Sequence, residues 1–70
     1  MILITGSAGY IGSQICKKFE KSKIKYIGID NLKYTYKDNV YNKKNFVKCC
    51  ISNKKKITSI IQQKKIITII

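Results

Sequence analysis

Three glycines near the start of the chain have the spacing of a turn that binds phosphate. Gly6, Gly9 and Gly12 form G-x-x-G-x-x-G between an uncharged, β-rich run and an amphipathic pattern. In such a turn the backbone approaches a dinucleotide's pyrophosphate, and the helix that follows presents free N–H groups. We expect Gly6 to make the tight turn, Gly9 to permit the approach of phosphate, and Gly12 to let the helix lie on the sheet. An ordinary left-handed turn is the alternative for three glycines alone.

An acidic residue follows this turn at the distance that a ribose requires. Asp30 lies 18 residues after Gly12, close to the ~20 typical of dinucleotide-binding folds. A carboxylate there accepts hydrogen bonds from ribose hydroxyls and repels a 2′-phosphate, which predicts NAD rather than NADP. An Asp that caps the next turn is the alternative, but capping does not explain the spacing.

The residues between these features predict the elements that position them. Met1 to Thr5 is a continuous uncharged run, typical of a strand that is buried on both faces. Tyr10 to Lys21 predicts a helix, and Ile24 to Ile29 predicts a second strand that ends in Asp30. Four apolar residues of the helix are expected on its core face: Ile11, Ile15, Cys16 and Phe19.

The second half of the chain repeats this strand–helix–strand pattern. Phe46 to Cys49 predicts a short third strand, and Ile66 to Ile70 predicts a fourth, buried strand. Between them Lys54 to Gln63 predicts a helix, and its N-terminal cap is either Ser52 or Asn53. The core stripe of this helix is expected to be Ile57, Ile60 and Ile61.

A polar stretch, residues 31–45, separates the two halves. Its Asn and Asp residues indicate a loop, with one helical turn near Tyr36 to Tyr41. We expect its tyrosines to pack the loop against the sheet edge or to flank an adenosine, whereas stacking on single-stranded nucleic acid is the alternative. These tyrosines are Tyr34, Tyr36 and Tyr41.

These elements predict an α/β fold, a partial Rossmann-type doubly wound parallel sheet of about four strands with two to three helices. Right-handed crossovers give the strand order 3-2-1-4. The fourth strand then forms an apolar edge through which the chain is expected to self-associate. Seventy residues are too few for a complete six-stranded sheet. We therefore expect residues 1–70 to be the truncated N-terminal part of a dinucleotide-binding domain.

Composition argues against several other classes of protein. All fifteen basic residues are Lys, and Lys, Ile and Asn make up half of the chain. This bias is typical of an AT-rich genome, so the net charge of +12 predicts no specific nucleic-acid partner, only salt-sensitive attraction to polyanions. Three cysteines without a C-x-x-C motif or a His predict reduced thiols and no metal site. No apolar run approaches membrane-spanning length and nothing precedes the first strand, so we expect a soluble, cytoplasmic protein.

The phrases around the turn resemble a known family. They are T-G-S-A-G-Y-I-G-S from Thr5 to Ser13 and D-N-L from Asp30 to Leu32. With Cys16 in G-Y-I-G-S-x-x-C and the later F-V-x-C-C-I-S-N, they are similar to the extended short-chain dehydrogenase/reductases, and within these to the UDP-glucose 4-epimerases. The resemblance runs through all 70 residues.

The resemblance implies an NAD site in this chain. In the family the two residues after the second glycine contact pyrophosphate, the acid and its neighbour hold the ribose, and a pair after the third strand flanks adenine. Cys50 stands where the family normally has Asp, so we expect weaker adenine binding there, although Ile51 still packs on the ring. The cofactor-binding residues so implied are Gly6, Gly9, Tyr10, Ile11, Gly12, Asp30, Asn31, Cys50 and Ile51.

The resemblance further implies transient hydride abstraction from a sugar nucleotide by NAD, with a Tyr that is activated by a Lys four residues later. The residues four positions after the five tyrosines are Gln14, Asp30, Asp38, Val40 and Asn45. These 70 residues therefore contain no catalytic residue, and a UDP-sugar partner requires a further part of the enzyme. Three alternatives stay open: a segment of another sugar-nucleotide epimerase or dehydratase, a non-catalytic binding module, and a remnant of a decayed gene.

Overall fold

A computed structural model of the chain describes residues 1–33, 35 and 37–70. The helices and strands are β1 Ile2–Thr5, α1 Tyr10–Lys21, β2 Tyr26–Asp30, β3 Phe46–Lys48, α2 Lys54–Lys64 and β4 Thr68–Ile69, with short 3-10 turns at Lys37–Asn39 and Lys43–Asn45. All strand pairs are parallel and the order is β3-β2-β1-β4. The predicted fold class and strand order are confirmed.

The central strand β1 is covered on both faces, as its continuous apolar run predicts. Leu3 and Ile4 are both buried, although neighbouring side chains of a strand point to opposite faces. Leu3 packs in a cluster with Ile29 and with Ile60 of α2. Ile4 packs in a second cluster with Cys16 of α1. The two helices therefore cover opposite faces of the sheet.

Helix α1 has the predicted bounds, but the expectation that Ile11 belongs to its core face is wrong. The side chain of Ile11 is 71% exposed, whereas Ile15, Cys16 and Phe19 pack on the sheet. Ile11 lies in the first turn of the helix, which begins beyond the carboxyl end of β1, so no strand lies beneath it. The 3.6-residue spacing of apolar residues correctly predicted a helix, but it contains no information about where the sheet beneath the helix ends.

The second strand begins two residues later than predicted because α1 ends in a Schellman motif. Lys23 adopts a left-handed conformation with φ of 58°. The Ile24 N–H donates to the Phe19 carbonyl at 2.9 Å and the Lys23 N–H to the Glu20 carbonyl at 3.2 Å, the two bonds of that motif. Ile24 is therefore part of the connection and is exposed.

The expectation of a buried fourth strand is wrong. β4 is only Thr68–Ile69 and pairs with β1 on one side. Its neighbour Ile67 is 82% exposed, and Ile69 and Ile70 are exposed as well. β4 is an edge strand, and of the residues just before it Ile66 packs against the core.

Helix α2 matches its prediction closely. Asn53 is the cap, and its side chain accepts a hydrogen bond from the Lys56 N–H. Ile60 is buried and Ile57 packs against the same cluster, while Ile61 is half-buried. In the part of the chain that the structure describes, no helix is both long and apolar enough to cross a membrane.

Candidate functional site

The glycine turn between β1 and α1 is closed by backbone contacts. Gly6 has a φ of 62°, a left-handed conformation that costs other residues free energy. Its carbonyl accepts the Gly9 N–H at 3.0 Å, and the Ser7 N–H donates to the Ile29 carbonyl of β2 at 3.0 Å. Gly6 therefore makes the tight turn that its position predicts.

Gly12 is required by contact with this turn rather than with the sheet. A Cβ at Gly12 would lie 2.2 Å from the Gly6 carbonyl oxygen and 2.9 Å from the Gly6 carbonyl carbon. A Cβ at Gly9 would lie 3.2 Å from the same oxygen, which is tight but less severe. The missing side chain at residue 12 thus lets α1 lie directly on the turn.

The beginning of α1 has no side-chain cap. Gly9 occupies the N-cap position and no acidic residue lies in the first turn. The first N–H groups of a helix lack partners within the helix, and the helix dipole places positive potential there. The turn therefore presents uncapped donors to an anion.

Asp30 connects the end of β2 to the glycine turn. Its side chain is 8% exposed. One carboxylate oxygen accepts the Ala8 N–H at 3.1 Å, and the other accepts the Leu32 N–H at 2.8 Å. The capping role is therefore present, and it leaves each carboxylate oxygen with capacity for a further hydrogen bond. The ribose role stays a prediction.

A cleft of about 230 Å³ opens at the carboxyl ends of the central strands. It is lined by Gly6, Asp30, Asn31, Cys49, Cys50 and Ile51. Five of these six are predicted cofactor residues, and the other four predicted residues are Gly9, Tyr10, Ile11 and Gly12 on the adjoining turn and helix start. In open α/β sheets ligands bind outside the carboxyl ends of the strands.

Comparison with known proteins identifies the family of the chain. A model of the NAD-dependent epimerase/dehydratase family matches residues 2–70. The chain belongs to the NAD-dependent epimerase/dehydratase family. It is 43% identical over 54 residues to a putative UDP-glucose 4-epimerase of Methanocaldococcus jannaschii, a match that covers 77% of this chain and 18% of that protein.

Two solved structures of similar proteins share the fold. The UDP-glucose 4-epimerase of Thermotoga maritima with UDP-glucose has a TM-score of 0.86 and 27% identity, covering 97% of this chain and 22% of that one. The dTDP-glucose 4,6-dehydratase of Bacillus anthracis in complex with NAD has a TM-score of 0.84 and 33% identity, covering 97% and 24%. The chain thus spans about a fifth of the length of these relatives.

The family's cofactor, NAD, fits the residues around the turn. Besides the uncapped helix start, an orphaned hydroxyl lies nearby: Thr35 Oγ1 is buried and has no hydrogen-bond partner among the described residues. The Thr35 methyl group would lie 3.9 Å from a Cβ at Gly9. Asn39 donates from Nδ2 to the Ala8 carbonyl at 3.2 Å. Both residues therefore lie against the glycine turn.

Cys50 brings a thiol rather than a carboxylate into the cleft. Its Sγ lies 3.0 Å from Ser52 Oγ. The Ser52 hydroxyl and its backbone, with smaller effects from Asn31 and Lys33, lower the pKa of the Cys50 thiol. Cys50 is exposed, whereas Cys16 and Cys49 are buried, and all three are free thiols. Cys50 is thus the accessible, ionisable thiol of the cleft.

Sequence reasoning missed three residues that support the turn: Gly28, Thr35 and Asn39. Gly28 had a signal, because an isolated glycine in a strand often marks a close approach of another segment. A Cβ there would lie 2.6 Å from Ser7 Oγ. Thr35 and Asn39 carry no local signal.

Other expectations for the loop have mixed outcomes. Tyr34 and Tyr36 lie outside the described residues, and Tyr41 is exposed beside Gln14 and Lys17 and does not line the cleft. Among residues 1–33, 35 and 37–70, no group of three or more His, Cys, Asp or Glu side chains is placed to hold a metal ion.

Proposed function

We propose that this chain is the NAD-binding N-terminal part of a sugar-nucleotide epimerase, with UDP-glucose 4-epimerase as the activity of the whole enzyme. One observation carries the proposal: the uncapped start of α1 and the carboxylate of Asp30 meet at the Gly6 turn, beside one open cleft. The phosphate groups of a dinucleotide require free N–H donors, and its ribose requires an acceptor beside them.

The roles of the residues follow from their positions. The backbone N–H groups of Tyr10 and Ile11 bind the pyrophosphate, and Gly9 leaves room for it. Asp30 and Asn31 hold the adenosine ribose. Ile51, which is 68% exposed at the cleft, packs on the adenine ring, while Cys50 replaces a stronger acceptor.

When bound, NAD supplies a hydride acceptor for the sugar. The part played by these 70 residues is to bind and orient the cofactor, since none of their tyrosines has a Lys four residues later. We place the catalytic pair and the UDP-sugar site in the additional length that the relatives have. A dehydratase of the same family is the second candidate, because the dTDP-glucose dehydratase shares more identity with this chain than the solved epimerase does, 33% against 27%.

Calorimetric titration with NAD and with NADP tests the cofactor. We expect NAD to bind and NADP to bind more weakly, because its 2′-phosphate meets the Asp30 carboxylate. Gly9→Val places a side chain where the pyrophosphate is proposed to bind, so it should abolish NAD binding. Ser59→Ala, an exposed change on α2, is the matched control. Failure of both dinucleotides to bind a folded chain refutes the proposal.

Alkylation of cysteines tests whether the cofactor lies in the cleft. Iodoacetamide should modify Cys50 first, while the buried Cys16 and Cys49 serve as internal controls. We expect saturating NAD to slow the modification of Cys50 severalfold, measured by mass spectrometry for each cysteine. If NAD binds but does not protect Cys50, the adenosine does not lie against Cys50 and Ile51.

A further inference from the structure

A second, much smaller cavity lies behind the glycine turn, on the α1 side of the sheet. It is lined by Ser7 of the turn, Cys16 of α1, Tyr26 and Gly28 of β2, and residues of the segment 40–46. Its volume, measured as the space open to the centre of a water-sized sphere, is about 10 Å³, close to the minimum that holds a single water molecule. It is separate from the cleft that contains Asp30 and Cys50.

Ser7 presents an unpartnered hydroxyl to this cavity. The residue is 4% exposed, and its Oγ is buried without a hydrogen-bond partner in the part of the chain that the structure describes. The hydroxyl lies over β2, because a Cβ at Gly28 would be 2.6 Å from Ser7 Oγ. A buried hydroxyl is nearly always hydrogen-bonded in a protein, to protein or to ordered water.

The opposite wall of the cavity supplies further polar groups. The Asn45 carbonyl oxygen lies 3.7 Å from the same point above Gly28, so it and Ser7 Oγ both border the space over this glycine. Tyr26 and Asn42 also line the cavity. The Tyr26 hydroxyl and Asn42 Nδ2 donate to the Glu20 carboxylate at 2.8 and 2.9 Å, so this wall of the cavity is polar and held in place.

We propose that this cavity binds one internal water molecule, which bridges Ser7 Oγ to the Asn45 carbonyl. Ser7 and Asn45 supply two of the two to four partners that an internal water requires. The water connects the glycine turn to the segment 40–46, which otherwise contacts the Glu20 network. Because the cavity lies behind the turn, the water is bound whether or not a dinucleotide is present.

Oxygen-17 relaxation dispersion of water tests this proposal in solution. The method detects water molecules that stay on the protein longer than it tumbles, and hydroxyl protons do not contribute. We expect the wild-type dispersion to exceed that of Ser7→Ala by the amplitude of one water. Ser59→Ala should match the wild type.

Two outcomes overturn the proposal. One is an equal amplitude in wild type and folded Ser7→Ala. The other is the absence of any dispersion in the wild type, which is decisive even if Ser7→Ala fails to fold. Neither outcome depends on cofactor binding. The proposal of a water site and the proposal of an NAD site are therefore tested independently.

Discussion

Replacing Gly12 by alanine tests whether α1 must lie directly on the glycine turn. The added Cβ would lie 2.2 Å from the Gly6 carbonyl oxygen and 3.0 Å from Ser7 Cα, both backbone atoms. Overpacking costs about 1–3 kcal/mol, and backbone neighbours cannot rotate away, so we expect about 3 kcal/mol. The better helix propensity of alanine recovers about 1 kcal/mol. The net loss is therefore about 2 kcal/mol, which is large for a chain of this size.

Urea unfolding followed by circular dichroism measures this loss. The midpoint for Gly12→Ala should fall clearly below that of the wild type. Ser59→Ala, an exposed Ser-to-Ala change on α2, controls for helix propensity and should raise the midpoint slightly. If Gly12→Ala is as stable as the wild type, the close contact between α1 and the turn is refuted.

Three further predictions concern the cleft and α2. Asp30→Asn should weaken NAD roughly tenfold or more in calorimetry, since hydrogen bonds to a charged group contribute about 1.5–3 kcal/mol; an unchanged preference for NAD over NADP would contradict the ribose role. Alkylation of Cys50 should reach half its maximal rate at a lower pH than alkylation of a free cysteine, because Ser52 lowers the pKa of this thiol. Ser52→Ala should move that pH upward, and no movement refutes this cause. Asn53→Ala removes the cap that accepts the Lys56 N–H at 3.1 Å. It should lower the free energy of unfolding by about 1 kcal/mol, measured in urea. Asn31→Ala is the control and should not destabilise α2.

The sequence was informative where structure depends on local periodicity. The apolar run of β1 and the 3.6-residue period of α1 each report burial directly, so the bounds of α1 and the strand order were predictable. Exposure of Ile11 and Ile69 was not predictable, because it depends on where the sheet and its covering helices stop. The same is true of the contact between Asn39 and Ala8, which joins residues 31 positions apart.

The glycine turn itself illustrates both cases. Its spacing is visible in the sequence, but its conformation is held by residues from other elements. Gly28 receives the Ser7 side chain, and Asn39 binds the Ala8 carbonyl. Asp30 binds the Ala8 N–H. The turn is therefore fixed in shape by protein contacts, which lowers the entropy cost of binding a phosphate group.

Asp30 consequently has two separable effects on a dinucleotide. It holds the Ala8 N–H and so shapes the phosphate turn, and we propose that it also binds the ribose. Inorganic pyrophosphate probes only the first effect, and adenosine only the second. If Asp30→Asn weakens adenosine but leaves pyrophosphate unchanged, the carboxylate acts on the ribose alone. If both weaken, the bond to Ala8 shapes the turn. Weakening of pyrophosphate alone would refute the ribose contact and retain Asp30 as a positioning residue.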